Sequence, residues 1–262
     1  MRREDMLALY DREMRIDAPL PGRGFRYERS DTIVRLIGPS PAVRDNFVLF
    51  SRLDASTADM TIARVIADFR SIGHGFEWKL HEHDTPVDLA ARLANRGLTA
   101  ETPETVVIRN LQDEAPRPCD AGSVEIRRVA EPNQLADLVA VQNDVWNEDH
   151  AWYGEMLAGE LADDAGQIEI LIAYDNGRPV ATSLVRLHRD TRFASIWGAA
   201  TLPDFRRRGL YTALVDRHAE TARKSGARLL IADANADSRP VLERVGFQPL
   251  IGVQGFVRHC PG

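Results

Sequence analysis

Lysine is almost missing from this chain: of 33 basic residues only Lys79 and Lys224 are lysines, and the rest are arginines. Acidic residues number 39, so the formal net charge is −6. That sign argues against general nucleic-acid or anionic-membrane binding, which draws on surplus positive charge to release counterions. A polyanionic ligand would have to meet a local basic cluster. Cysteine is nearly absent too. Cys119 lies in a polar stretch and Cys260 near the C-terminus. A bridge between them stays open, but two scattered thiols make no disulfide framework and neither has a metal-ligand spacing. No run approaches the ~20 apolar residues that span a bilayer. The opening Met1-Arg-Arg-Glu-Asp-Met-Leu lacks the apolar core of a signal peptide. These absences predict a reduced, soluble, cytoplasmic protein with no membrane or nucleic-acid partner and no resident metal.

What is present reads as globular: 44% hydrophobic and 27% charged residues over 262 positions, enough for one large domain or two ordinary ones. The clearest break is Gln112–Ser123, polar, with two prolines and no periodicity. It divides the chain into an N-terminal lobe (1–112), a linker (113–123) and a second domain (124–262). Before it, helices are expected over Glu4–Met14, Ala58–Ile72 and Pro86–Ala94, and strands over Thr32–Ile37, Asn46–Arg52, Phe76–Leu80 and Thr105–Asn110. After it come a strand at Val124–Arg128, helical stretches at Ala130–Trp146 and Trp152–Leu161, and a hairpin, Ile168–Tyr174 and Val180–Leu187, turned by Asn176-Gly177. Then follow a strand (Ala194–Ala200), a helix (Leu210–Lys224), a strand (Arg228–Ala232), a short helix (Ser238–Val245) and an apolar tail. The halves echo each other. Superposing Gly97 on Gly246 also brings Asp84 onto Asp233 and Leu93 onto Leu242, as a duplicated lobe would.

Chemistry concentrates in Thr201-Leu-Pro-Asp-Phe-Arg206-Arg-Arg-Gly209-Leu-Tyr211-Thr212. A strand ends, the chain turns at Pro203, and an amphipathic helix opens near Gly209. The first turn of a helix leaves backbone N–H groups unpaired at the positive end of the macrodipole, a place that suits phosphate. Arg206, Arg207 and Arg208 add charge-assisted donors. Alone, the run reads as a solvated basic turn, which short arginine runs usually are. In place, it resembles the pyrophosphate-binding motif of the GNAT superfamily of N-acetyltransferases, Arg/Gln-x-x-Gly-x-Gly/Ala. Downstream, Asn235-x-x-Ser238 with Gly246-Phe247 is similar to that family's later signature, and the resemblance covers about Val124 to Val257.

The resemblance implies an α/β (α+β) fold of tandem GNAT-like lobes, each a mixed, mostly antiparallel sheet flanked by helices. It implies acetyl-CoA as cosubstrate, with the N–H groups of Arg207, Arg208, Gly209, Leu210, Tyr211 and Thr212 around the pyrophosphate. Ala199, Ala200 and Thr201 would meet the pantetheine arm and thioester carbonyl, and Asn235 would hold the arm from the other side. Two departures stand out. Tyr211 replaces a small residue, and the tyrosine that many relatives use as a proton donor falls at Leu242. An acidic residue that some relatives carry in the strand before Asn235 falls at Leu230.

Asp233, just past a strand end, is the candidate base, with turn formation as its structural alternative. Ser238 is a candidate proton donor, or simply a helix N-cap. Trp146, Glu148, Asp149, His150 and Tyr153 are the expected lining for a cationic or polar amine; a plain helix–helix loop would look alike. His81-Glu82-His83-Asp84 shows no third ligand of convincing spacing, and the first half lacks the phosphate motif. The expected activity is acetyl transfer to a primary amine of a small molecule or peptide. The alternatives are a non-catalytic acyl-CoA sensor and a purely structural two-lobe protein.

Overall fold

A computed structural model describes residues 1–113, 124–164 and 166–260. Cys119 and nearly all of the expected linker lie outside them. In chain order the elements are α1 (Arg3–Tyr10) continued by a π-helical turn (Asp11–Ile16), β1 (Arg26–Arg29), β2 (Ile33–Ile37), β3 (Phe47–Ser51), α2 (Ala58–Ser71), β4 (Phe76–His81), α3 (Leu89–Asn95), β5 (Thr99–Ala100) and β6 (Glu104–Asn110). They continue with β7 (Glu125–Arg128), α4 (Leu135–Trp146), α5 (Ala151–Asp164), β8 (Ile168–Asp175), β9 (Arg178–Leu187), β10 (Phe193–Thr201), α6 (Leu210–Lys224), β11 (Leu229–Ala234), α7 (Arg239–Arg244) and β12 (Gln248–Arg258). Among the described residues no helix is long and apolar enough to cross a membrane.

The chain divides into two compact units: Met1–Val106 with Asp233–Arg239 and Pro249–Gly262, and Val107–Ala232 with Pro240–Gln248. In the first unit the strands run β1-β2-β3-β4-β12. The pairs β1·β2, β2·β3 and β4·β12 are antiparallel, and β3·β4 is parallel. Its core forms because α2 repeats apolar residues at helical spacing. Ile62, Val65 and Phe69 point onto Val48, Phe76 and Trp78, and Leu89 and Leu93 of α3 join them. Phe69 stacks on Phe76 with centroids 4.5 Å apart.

In the second unit the order is β6-β11-β10-β9-β8-β7. β7 to β10 pair antiparallel and β10·β11 parallel. β8 and β9 are almost continuously buried, so both sheet faces need cover. Leu135, Leu138, Tyr153 and Leu157 of α4 and α5 pack on Ile168, Ile170, Ile172 and Leu184. Leu210 and Leu214 of α6 pack with Leu171, Ala173 and Ala181. The Asn176-Gly177 turn has positive φ at both positions, 49° and 81°, as a two-residue hairpin that matches strand twist requires.

The echo between halves has a structural counterpart. Helices α2, α3, α6 and α7 all end in the same glycine cap, with Gly73, Gly97, Gly226 and Gly246 at positive φ. In each, the next amide reaches back five residues: His74→Phe69, Leu98→Leu93, Ala227→Ala222 and Phe247→Leu242. Each unit also carries a strand bulge, at Leu49 of β3 and at Gly198-Ala199 of β10.

Candidate active site

The turn from β10 into α6 gathers exposed arginines at the opening of a helix. Leu202 is buried and anchors one end, and Leu210 anchors the other. Between them Arg206, Arg207 and Arg208 are exposed. Arg207 sits at φ 63° and Gly209 at φ 79°. A non-glycine residue in that region costs about 1–3 kcal/mol and tends to occur where a site needs the conformation. The first intrahelical bond of α6 is Ala213 N–H to Gly209 O, 2.9 Å. The amides of Leu210, Tyr211 and Thr212 therefore precede the helical ladder. Arg206 donates from Nε to Thr201 O at 3.1 Å, tying the basic turn to the strand end. The Arg208 guanidinium lies over Phe205 at 4.6 Å. Tyr211 is half-buried, and burial pushes its phenol up to about 12.

The bulge in β10 supplies a second feature. β10 and β9 pair in register from Ala194 to Trp197 and resume at Ala200↔Thr182. Parallel pairing with β11 covers Phe193↔Leu229 to Ser195↔Ile231. Beyond Ser195 the β11-facing edge of β10, including Ala199 to Thr201, has left that ladder. Gly198 takes φ 58°, and a Cβ there would overlap the Tyr153 hydroxyl. The Gly198 carbonyl accepts from Gln142 Nε2 at 2.8 Å, and Gln142 also donates to Thr182 Oγ1 at 3.1 Å. Gln142 Oε1 in turn accepts from Trp146 Nε1 at 2.9 Å.

Of the expected acceptor residues, Trp146 closes α4, Asn147 takes a left-handed turn (φ 54°), and Tyr153 lies in the first turn of α5. Asp149 Oδ1 accepts from Ala151 N at 2.9 Å, and His150 N donates to Asn143 Oδ1 at 2.8 Å. These bonds fix the loop as a helix start. Burial raises the Tyr153 phenol to about 12. Sequence reasoning did not single out Gln142 or Trp197, which adjoin this candidate site. Gln142 was findable, as a polar residue on the buried stripe of α4 between Leu138 and Trp146. Trp197 is held by Ser195 Oγ, which accepts from its Nε1 at 2.6 Å and meets His188 Nε2 at 2.7 Å.

Asp233, Asn235 and Ser238 cluster with the first unit. Asp233 Oδ2 accepts from Lys79 Nζ at 2.9 Å. Burial opposes the Lys79 charge, but Asp233 and Glu77 outweigh it and raise its pKa. Asn235 Oδ1 accepts from Ser238 N (2.9 Å), Ser238 Oγ (3.1 Å) and Asp237 N (3.0 Å). The Ser238 hydroxyl proton is thereby engaged. Leu242 is 1% exposed, apolar and without a proton to give.

In the first unit the place equivalent to the β10 bulge is filled. Leu49 O accepts from Arg15 Nε at 2.8 Å, while Arg15 Nη2 donates to both oxygens of Asp84 at 2.7 Å. Asp11 and Ser51 complete the set. Of the two histidines in the His81–Asp84 run, His81 meets the Tyr10 hydroxyl at 3.1 Å and His83 meets Asp11 at 2.7 Å. Among the described residues no group of three or more His, Cys, Asp or Glu is placed to hold a metal ion.

Residues 132–247, somewhat under half of the chain, match the acetyltransferase (GNAT) family. Over nearly its whole length the chain also shares the fold of solved GNAT structures. A GCN5-related N-acetyltransferase from Kribbella flavida aligns at TM-score 0.70 and 17% identity, over 98% of this chain and 95% of its own. A tandem GNAT protein from the clavulanic acid biosynthesis pathway aligns at 0.59 and 15%, over 92% and 85%. One from Sphaerobacter thermophilus aligns at 0.63 and 12%, over 90% and 83%. No curated protein sequence matches the chain.

Proposed function

We propose that the second unit is an N-acetyltransferase that moves the acetyl group of acetyl-CoA to a primary amine within a ternary complex. The observation that carries this reading is the turn opening at Gly209, where amides outside the helical ladder converge with three exposed arginines. Those amides and the positive end of α6 bind the diphosphate. The bulged edge Ala199–Thr201 gives the pantetheine arm a strand-like partner and offers an N–H to the thioester carbonyl. Such a donor stabilises the developing oxyanion by about 3–4 kcal/mol.

The amine nitrogen attacks the carbonyl carbon, a C–N bond forms, and the C–S bond breaks with its electron pair going to sulfur. The ammonium loses its proton to solvent, and the thiolate takes one up. A thiol pKa near 8.5 makes that thiolate a tolerable leaving group without a dedicated acid, which suits an apolar Leu242. The Asp233 carboxylate is paired with Lys79, and Ser238 is engaged with Asn235, so the step is assigned to neither.

Isothermal calorimetry tests the reading. Acetyl-CoA should bind saturably. Arg206→Ala should weaken it about 5- to 30-fold, as loss of a charge-assisted bond does, and Gly209→Pro should weaken it further. No binding at millimolar ligand would end the proposal. Binding without amine-dependent thiol release would convert it to a sensor.

A further inference from the structure

Tryptophan is seldom left in water, yet three of the four in this chain are exposed: Trp146 by 53%, Trp152 by 39% and Trp197 by 42%. All three belong to the second unit, and each is linked to one point, the bulge at Gly198. Trp197 precedes it in the chain. Trp146 reaches it through Gln142, which caps the Gly198 carbonyl. Trp152 packs on Tyr153 with ring centroids 5.4 Å apart, and the Tyr153 hydroxyl rests on Gly198. Three exposed rings linked to the bulge that precedes Ala199–Thr201 are not a fold requirement, because the core under α4 and α5 is already built from Leu135, Leu138 and Leu157.

The charges around these rings are specific. Arg186 lies against the Trp197 ring at 5.6 Å, but Glu160 neutralises it with two bonds of 3.0 and 2.7 Å. Asp149 is committed to the start of α5. Glu148 is exposed beside Trp146, and no partner of its carboxylate is seen among the described residues. The surroundings thus offer wide apolar π-faces, with the exposed Glu148 carboxylate in the loop after Trp146 and His150 against Trp152. A polyamine or an aminosugar would need several carboxylates or a set of hydroxyl partners.

Resting on the transferase reading above, we infer that the acceptor is a primary monoamine borne on a flat apolar body, of the arylalkylamine type. Its plane lies against the exposed tryptophans and its ammonium is drawn by their π-faces and by Glu148. The nitrogen then stands at Gly198, where the acetyl carbon would be presented.

The test uses the whole chain with saturating acetyl-CoA, following free thiol with phenethylamine, spermidine, glucosamine and lysine amide as acceptors. Phenethylamine should give a kcat/KM about tenfold or more above the other three. Trp152→Ala and Trp146→Phe, both at exposed positions, should raise its KM about 3- to 30-fold with kcat changed less than about twofold. Acetyl-CoA binding by calorimetry should be unchanged in both variants. Phenethylamine should also quench tryptophan fluorescence in the wild type without acetyl-CoA. Faster thiol release with the polar amines would overturn the acceptor class and leave the transferase standing. A KM indifferent to both substitutions would do the same. Failure to bind acetyl-CoA at all would overturn the transferase reading first, and this inference with it.

Discussion

Gly198 is the residue on which the proposed site turns. Its φ of 58° and the Tyr153 hydroxyl against it leave no room for a side chain. Gly198→Ala should therefore cost about 2 kcal/mol, from left-handed strain and steric conflict together. In a Tyr153→Phe background, which removes the conflicting oxygen, the same substitution should cost about 1 kcal/mol less. Thermal denaturation of the four proteins in that cycle checks it, and strict additivity would contradict it. His188 offers a pH test of the neighbouring geometry. Burial, with Arg186 adding to it, lowers its pKa to about 4 from the ordinary 6.5. Below pH 6.5 the unfolded chain takes up a proton that the folded one refuses, so stability should fall as pH drops from 6.5 towards 4 and be unaffected by this group above 6.5. For a half-buried ring the loss is about 1–2 kcal/mol. Denaturant titrations at pH 7 and pH 5 should show it in the wild type and lose it in His188→Gln.

At the scale of elements, most of this molecule was legible. α6 runs over Leu210–Lys224 as its periodicity required, and β8 and β9 meet at the Asn-Gly turn. β1 was not legible, because Arg26-Tyr-Glu-Arg29 carries charge at three of four positions and is an edge strand without an apolar face. Nor could the pairing of β12 with β4 be read. Local pattern sets which face a strand buries, but not which distant strand lies beside it. The amide turn at Gly209 was legible because one short segment supplies it. The bulge at Gly198 was not, since it arises from Tyr153 on α5 and Gln142 on α4, far apart in sequence. Arg15 belongs to the same class of surprise. Its guanidinium occupies the bulge of β3, and its partner Asp84 is buried. Arg15→Ala leaves that carboxylate without its cation and should cost about 3–5 kcal/mol. A double substitution with Asp84→Leu should restore part of the loss, measured by denaturant unfolding.

Across the whole molecule, two units share an order of strands and helices, with two glycine caps and one bulge apiece, yet differ at the bulge. In the second unit Gln142 caps the bulge carbonyl and leaves Ala199–Thr201 beyond the β11 ladder. In the first, Arg15 and Asp84 fill the equivalent place, and no Arg-x-x-Gly run precedes α2. A GNAT domain in residues 132–247 fits that asymmetry. It follows that one chain should take one equivalent of acetyl-CoA, on the second unit alone.

The most direct test is an amide-resolved NMR titration of the isotopically labelled chain with CoA. Shifts should concentrate at Leu210, Tyr211 and Thr212 and at Ala199–Thr201, saturating at one equivalent. Binding that leaves those amides unmoved, or that moves the β3–α2 turn instead, would contradict the diphosphate cradle proposed for α6.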